Sequence, residues 1–302
     1  MSGELFTYEK CIGCGTERLA SRPTPEAIAS YYPDSYYAYS GSASVRPSAS
    51  DILKRCVYEV FWAQAGERSK LTNAFRFALA PLLYALRFRS NLAFRAPALR
   101  RVFEIGAATG TDLLEFRAAG WEVAGCEPSS KACAVALQRG IDLQNSTAED
   151  AVLAASQYGC VLINNVFEHL HDPAAALVKA HAALADDGVL VVIVPNHDAW
   201  SAGWFGASWP GYDPPRHLWG FTASSLGEML RRQGFAVERI AHKAPMRWCW
   251  IACIEGTRRP SGATQASSRL ARLLSPWFLP VGVIAALSGR GDFIKAVARK
   301  AS

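Results

Sequence analysis

A doubly wound α/β sheet is the fold class this sequence predicts, and three observations predict it. Strand-like apolar runs alternate with helix-length segments from residue 101 to residue 240. The first run, Arg101-Val102-Phe103-Glu104-Ile105, enters a small-residue turn, Gly106-Ala107-Ala108-Thr109-Gly110, that opens a helix. The second, Val123-Ala124-Gly125-Cys126, ends in an acid, Glu127, followed by Pro128, seventeen residues beyond Gly110. An acid at the tip of a second strand can accept both hydroxyls of a ribose, and the glycines let backbone approach a ligand closely.

The turn reads Glu-x-Gly-x-x-x-Gly and lacks the Gly-x-Gly-x-x-Gly that cradles a pyrophosphate. A nucleoside without a pyrophosphate suits it, which points to S-adenosylmethionine as cofactor. Strands are expected at 101–105, 122–126, 159–164, 188–194 and 235–240, with helices at 110–119, 129–138, 173–185 and 223–233. Asp187-Gly188 and Gly234 read as stops for the last two helices. Beyond 240, residues 246–254 can be a strand, 258–268 form a polar loop, 273–287 are apolar but broken by Pro276 and Pro280, and 292–300 read as a terminal strand. Four segments result: a Cys- and Tyr-rich stretch with its linker at 1–50, a helical extension at 51–100, the nucleoside-binding domain at 101–245, and a C-terminal part at 246–302 that completes the sheet.

With 302 residues, half of them hydrophobic and 19% charged, the chain can bury a sizeable core and is not disordered. Its net charge of +6 comes partly from arginines at 76, 87, 89, 95, 100 and 101. A solvated face accounts for them, or else an anionic membrane surface or substrate; nucleic acid ranks last. The greasy stretch 75–88 is interrupted by Pro81 and falls short of the ~20 apolar residues that span a bilayer. Eight cysteines in a chain this long make no compact disulfide framework, and no apolar leader opens the sequence. A cytoplasmic location, with or without peripheral contact at the membrane's inner face, is the expectation.

Five pieces taken in order carry a resemblance: Phe103-Glu104-Ile105-Gly106-Ala107-Ala108-Thr109-Gly110; Gly125-Cys126-Glu127-Pro128; Ser146-Thr147-Ala148-Glu149-Asp150; Asn164-Asn165-Val166-Phe167-Glu168-His169-Leu170-His171-Asp172-Pro173; and Pro214-Pro215-Arg216-His217-Leu218-Trp219-Gly220-Phe221-Thr222. Over residues 100–240 the chain resembles the class I S-adenosylmethionine-dependent methyltransferases, in particular the bacterial group acting on sugars, lipids and quinones. The resemblance implies a Rossmann-like sheet of seven strands. Its last strand, 292–299, would insert antiparallel beside 235–240. Where the family's turn has a third glycine this chain has Ala108, whose methyl tolerates a strongly positive φ only with strain.

The resemblance also assigns roles. Glu127 accepts the ribose hydroxyls. Glu104 organises the turn or reaches the cofactor's amino group through water. Gly106, Ala107, Gly110 and Pro128 line the cofactor, Ala148 and Glu149 (or Asp150) read the adenine edge, and Asn165 lies beside the methionine end. In quinone O-methyltransferases a similar Glu-x-x-Glu-His segment holds a divalent metal. Here Asn165 replaces the first acid, so Glu168-His169 read as pocket packing and no metal ligand is assigned. His217 is the candidate base for an acceptor hydroxyl, or a loop anchor through its ring. His169, Trp209, Tyr212 and Phe221 are candidate walls for an apolar or sugar-like acceptor, or else a satellite cluster under a long loop. Cys11 and Cys14 form half of a zinc knuckle with no second pair of the same spacing. O-methylation of a small, sugar or lipid-linked acceptor is the expected activity. N- or C-methylation and a non-catalytic scaffold are the rivals.

Overall fold

A computed structural model describes residues 5–32, 94–243 and 278–301. Residues 51–93 of the helical extension expected over 51–100 fall outside them, as do the strand expected at 246–254 and the polar loop at 258–268.

A short hairpin opens the chain, with β1 (Tyr8–Lys10), β2 (Glu17–Leu19) and a small helix α1 (Pro25–Ile28) after it. The alternating part follows: β3 (Arg101–Ile105), α2 (Thr111–Ala118), β4 (Glu122–Cys126), α3 (Ser130–Gln138), β5 (Tyr158–Asn164), α4 (Pro173–Ala183) and β6 (Leu184–Pro195). Then come α5 (Trp200–Phe205), β7 (Trp219–Gly220), α6 (Ala223–Arg232), β8 (Phe235–Lys243), α7 (Phe278–Leu287) and β9 (Phe293–Lys300). Helix starts follow their side chains: Ser129, Asp172 and Thr222 each accept from a backbone N–H in the first turn of α3, α4 and α6.

The main sheet has the order β4-β3-β5-β6-β9-β8. Its first four strands are parallel, and β9 runs antiparallel between β6 and β8, as the resemblance implies. Alternate residues feed two cores. Phe103, Ile105, Val161 and Ile163 face α4 and α6, and Val102, Cys160 and Leu162 face α2 and α3. Burial on both faces is why β5 reads as an unbroken apolar run. Six strands form the sheet among the described residues; where a further edge strand is expected, Gln144 makes a single parallel bridge with Cys126.

One local expectation needs correcting. Asp187-Gly188 does not stop α4, which gives way to β6 directly at Leu184. Leu184 pairs with Tyr158 and the next pair is Val189 with Cys160, so residues 185–188 bulge out of the ladder, with Asp187 accepting the Ala98 N–H at 2.7 Å. Ala108 does take the left-handed conformation, at φ 45°. The N–H of Ala108 bonds to the Glu127 carboxylate at 2.9 Å, and the turn accepts the strain of its methyl.

A second, three-stranded sheet joins the N-terminal hairpin to the late loop. β1 pairs with β2, and β2 pairs with β7 through Glu17 with Gly220 and Arg18 with Trp219. Asn196, just past β6, bridges Phe221, just past β7. The hairpin is thereby seated beside the carboxyl ends of the central strands, where open α/β sheets bind ligands. No helix among the described residues is long and apolar enough to cross a membrane.

Candidate functional site

The first half of the site is built mainly from backbone. After β3 the chain turns through Gly106 and Gly110, both with φ near 70°. A Cβ on Gly106 would stand 2.4 Å from the Val166 side chain, so only glycine lets the turn pack against the segment after β5. Glu127 is buried, and its two oxygens accept from Ala108 N and Ser129 N, each at 2.9 Å. Burial raises this carboxyl and the two N–H bonds counter it. Each oxygen keeps a second lone pair, which is what a ribose diol requires. Pro128 follows, its carbonyl and that of Glu127 both held by the Asn145 amide at 3.0 Å.

Ala107 is buried beneath the turn and donates to the Cys126 carbonyl at 2.9 Å. Arg139, on the turn after α3, reaches the Thr109 carbonyl at 2.8 Å and the hydroxyls of Thr109 and Thr111 at 3.0 Å. Glu104 is buried at the end of β3, where desolvation first and the Asp112 carboxyl second push it well above the usual carboxylate range. One of its oxygens and the side-chain oxygen of Asn165 are buried acceptors without a partner. They lie at the carboxyl ends of neighbouring strands, and Asn165 itself takes φ 53°. Two unpaired acceptors there fit the cationic amino-acid end of S-adenosylmethionine.

At the adenine-edge segment the structure separates the two acids. Asp150 is absorbed by its own turn, accepting from the Thr147 hydroxyl at 2.9 Å, while Glu149 is exposed. The Lys179 ammonium gathers the carbonyls of Ala148, Glu149 and Ala151 from below. Ala148 is buried under them.

The second half is built from side chains that come together from distant parts of the chain. Glu168 is 1% exposed, neither of its oxygens has a partner, and burial pushes its carboxyl up to about 8. His217 lies across from it, with Nε2 4.0 Å from Glu168 and 3.9 Å from Asp213. The two histidine rings meet edge to face at 4.6 Å. The Nδ1 of His217 is 2.7 Å from the Gly211 carbonyl, and that of His169 is 2.9 Å from the Arg216 carbonyl. A carbonyl only accepts, so each Nδ1 carries the hydrogen and each Nε2 keeps a lone pair. Burial pushes both imidazoles down to about 3, which leaves them neutral. His217 is therefore anchored to its loop through Nδ1, and its Nε2 keeps a lone pair.

Glu168, His169 and His217 each bring one ligand atom to within 4.8 Å of the others, a set able to hold a divalent ion. His217 stands beside Glu168 and His169 as a third potential donor, a meeting that adjacency in sequence does not reveal. Cys11 and Cys14 sit at the tip of the N-terminal hairpin, Cys14 donating to the Thr16 hydroxyl at 3.3 Å, and no third donor joins them among the described residues.

The expected aromatic wall divides. Tyr212 is half-buried at the site. Trp209 is 3% exposed and forms a satellite cluster with Ala199 and Ala202, crossing Tyr212 at 5.2 Å. Phe221 belongs to the main core, stacked on Phe167 at 5.3 Å, and leaves an acceptor almost nothing to touch. Reasoning from sequence missed Tyr8, Glu17, Tyr32 and His197. Glu17 bonds His197 at 2.8 Å, and Tyr32 bonds His169 at 3.0 Å. No local pattern marks these residues, because the pairing of β2 with β7 is what brings them in.

Residues 74–240 match the family described as "Methyltransferase domain". An uncharacterized protein of Mycobacterium tuberculosis (strain ATCC 25618 / H37Rv) is 32% identical over 140 residues, covering 44% of this chain and 46% of that protein. The ubiquinone biosynthesis O-methyltransferase of Cereibacter sphaeroides (strain ATCC 17025 / ATH 2.4.3) is 28% identical over 166 residues, 50% of this chain and 66% of that one. The chain spans about half the length of the first relative and just under two thirds of the second. A solved structure of a SAM-dependent methyltransferase from Archaeoglobus fulgidus is 20% identical, covers 75% of this chain and 99% of that chain, and aligns with a TM-score of 0.49.

Proposed function

Since the chain belongs to the class I S-adenosylmethionine-dependent methyltransferases, whose domain spans residues 74–240, we propose that it methylates a hydroxyl oxygen of a small acceptor, with His217 as base. One observation carries this reading: a buried neutral imidazole, its tautomer fixed by the Gly211 carbonyl, keeps its lone pair on Nε2 beside the carboxyl ends of the strands. Similarity to a ubiquinone biosynthesis O-methyltransferase supports oxygen as the receiving atom.

When bound, S-adenosylmethionine supplies a methyl group on a positively charged sulfur. Glu127 and the turn residues Gly106 to Gly110 hold the nucleoside, and Asn165 with Glu104 holds the amino-acid end. This half fixes the direction from which the methyl is presented. Alignment of that kind contributes up to about 7–11 kcal/mol of barrier lowering. His217 then takes the acceptor's hydroxyl proton at Nε2, and the oxygen would gain the methyl as the methyl–sulfur bond breaks, its electron pair leaving on a neutral thioether. Burial disfavours the imidazolium, the Gly211 carbonyl held by Nδ1–H favours it, and His197 and Arg216 disfavour it, so the proton stays on Nε2 only transiently. Base assistance adds about 10²–10⁴-fold.

The test is transfer of a labelled methyl group to a panel of catechol-type quinone precursors, sugars and glycolipids. Label is expected in an ether of one class, with His217→Ala slower by about 10²-fold or more. Label on nitrogen or carbon, or an unchanged rate in His217→Ala, contradicts the reading.

A further inference from the structure

The loop that carries His217 is closed by a residue some two hundred positions away. Tyr8, on the first strand of the N-terminal hairpin, points its hydroxyl at two carbonyls, that of Tyr212 at 2.7 Å and that of His217 at 2.8 Å. These carbonyls bracket residues 213–216, and the amides of Arg216 and His217 turn back onto the Asp213 carbonyl at 3.0 and 3.2 Å. One phenol thus pins both ends of the short loop whose last residue is the base. The Tyr8 ring lies 5.7 Å from His197 and 5.9 Å from Tyr212, and Glu17 on the neighbouring strand bonds His197 at 2.8 Å. The Tyr32 hydroxyl reaches His169, so the N-terminal segment touches both histidines of the site.

We propose that the N-terminal hairpin is a wall of the acceptor site and that Tyr8 is the positioning residue for His217, holding the 212–217 loop closed. A half-buried phenol bonded to two carbonyls has no partner there that could receive its proton, so its role is to donate and to orient. The inference rests on the reading of His217 given above, but its test needs no acceptor.

The full-length protein is labelled with ¹⁵N-histidine and compared with Tyr8→Phe, which keeps the ring and removes only the hydroxyl. His217 signals are assigned by their loss in His217→Gln. In the wild type His217 is expected as a single Nδ1–H tautomer. In Tyr8→Phe its ring signals shift toward a mixture of tautomers, and the Arg216 and His217 amides exchange hydrogen about tenfold faster. Amides of β3 to β6 and the affinity for S-adenosylhomocysteine stay within twofold of wild type. Unchanged His217 ring signals and amide protection overturn the proposal, as does a loss of protection spread equally over the sheet. Glu17→Gln loosens the same hairpin from its other strand and is read by the same amides, so the test survives if Tyr8→Phe does not fold. Failure of methyl transfer with these signatures intact would count against His217 as base and not against its positioning by Tyr8.

Discussion

The two halves of the site are made in different ways. Around the cofactor turn the working groups are largely backbone N–H and carbonyl groups on consecutive residues, held by two glycines and one acid. Around His217 they are side chains drawn from residues 8–32, 165–171 and 196–221, in which a carboxyl and two imidazoles are buried without charge compensation from one another. The cofactor half is cheap to specify, since a strand, a turn and a helix in succession contain all of it. The acceptor half depends on the whole tertiary fold and gathers a carboxyl and two imidazoles at a cost in desolvation, as the cofactor half does with Glu104 and Glu127.

That contrast has consequences for stability, the largest of them in pH dependence. Glu168 has its folded value pushed up to about 8, above an unfolded value of about 4.3. Its neutral form is the one the fold favours. The contribution is therefore complete below about pH 4.3 and is lost as pH rises toward 8, by up to ~1.4 kcal/mol per pH unit. His169 and His217 behave in the opposite sense, with folded values near 3 against about 6.5 unfolded. Their contribution is complete above about pH 6.5 and is lost as pH falls toward 3. Between about pH 6.5 and 8 only the Glu168 loss operates among these three. Urea unfolding across that window is expected to show stability declining more steeply with pH in the wild type than in Glu168→Gln. The same slope in both proteins would remove the claim that buried Glu168 carries that cost.

In the cofactor half a much smaller effect is expected. Ala108→Gly relieves a left-handed alanine, a gain of about 1 kcal/mol, partly offset by the freer unfolded chain. A net stabilisation of about 0.5 kcal/mol, one to two degrees in Tm, is the expected calorimetric result. A loss of stability would mean that the methyl at 108 does more in packing than it costs in strain.

These differences also explain what could be read from the sequence. The β3–turn–β4 unit, Glu127 as the acid at its far end and the antiparallel insertion of β9 all follow from local pattern or from the family resemblance. Asp187-Gly188 misled because an acid–glycine pair marks a bulge as readily as a helix end, and only the pairing of Leu184 with Tyr158 decides. Phe221 and Trp209 looked like pocket walls because aromatic density in a loop does not distinguish a wall from the cluster that supports it. The meeting of Glu168 with His217 spans about fifty residues, and Tyr8 reaches His217 across roughly two hundred. Neither contact has a periodicity or a spacing to announce it.

The central claim is that cofactor binding belongs to the turn and Glu127, independently of the histidine half. Calorimetric titration with S-adenosylhomocysteine of the wild type, Glu127→Ala and His217→Ala tests it most directly. Glu127→Ala removes the proposed ribose acceptor and strands the N–H groups of Ala108 and Ser129, so a loss of about 10²-fold or more is expected, with His217→Ala within twofold of wild type. Equal losses in the two variants, or no binding to the folded wild type, would contradict the division of the site.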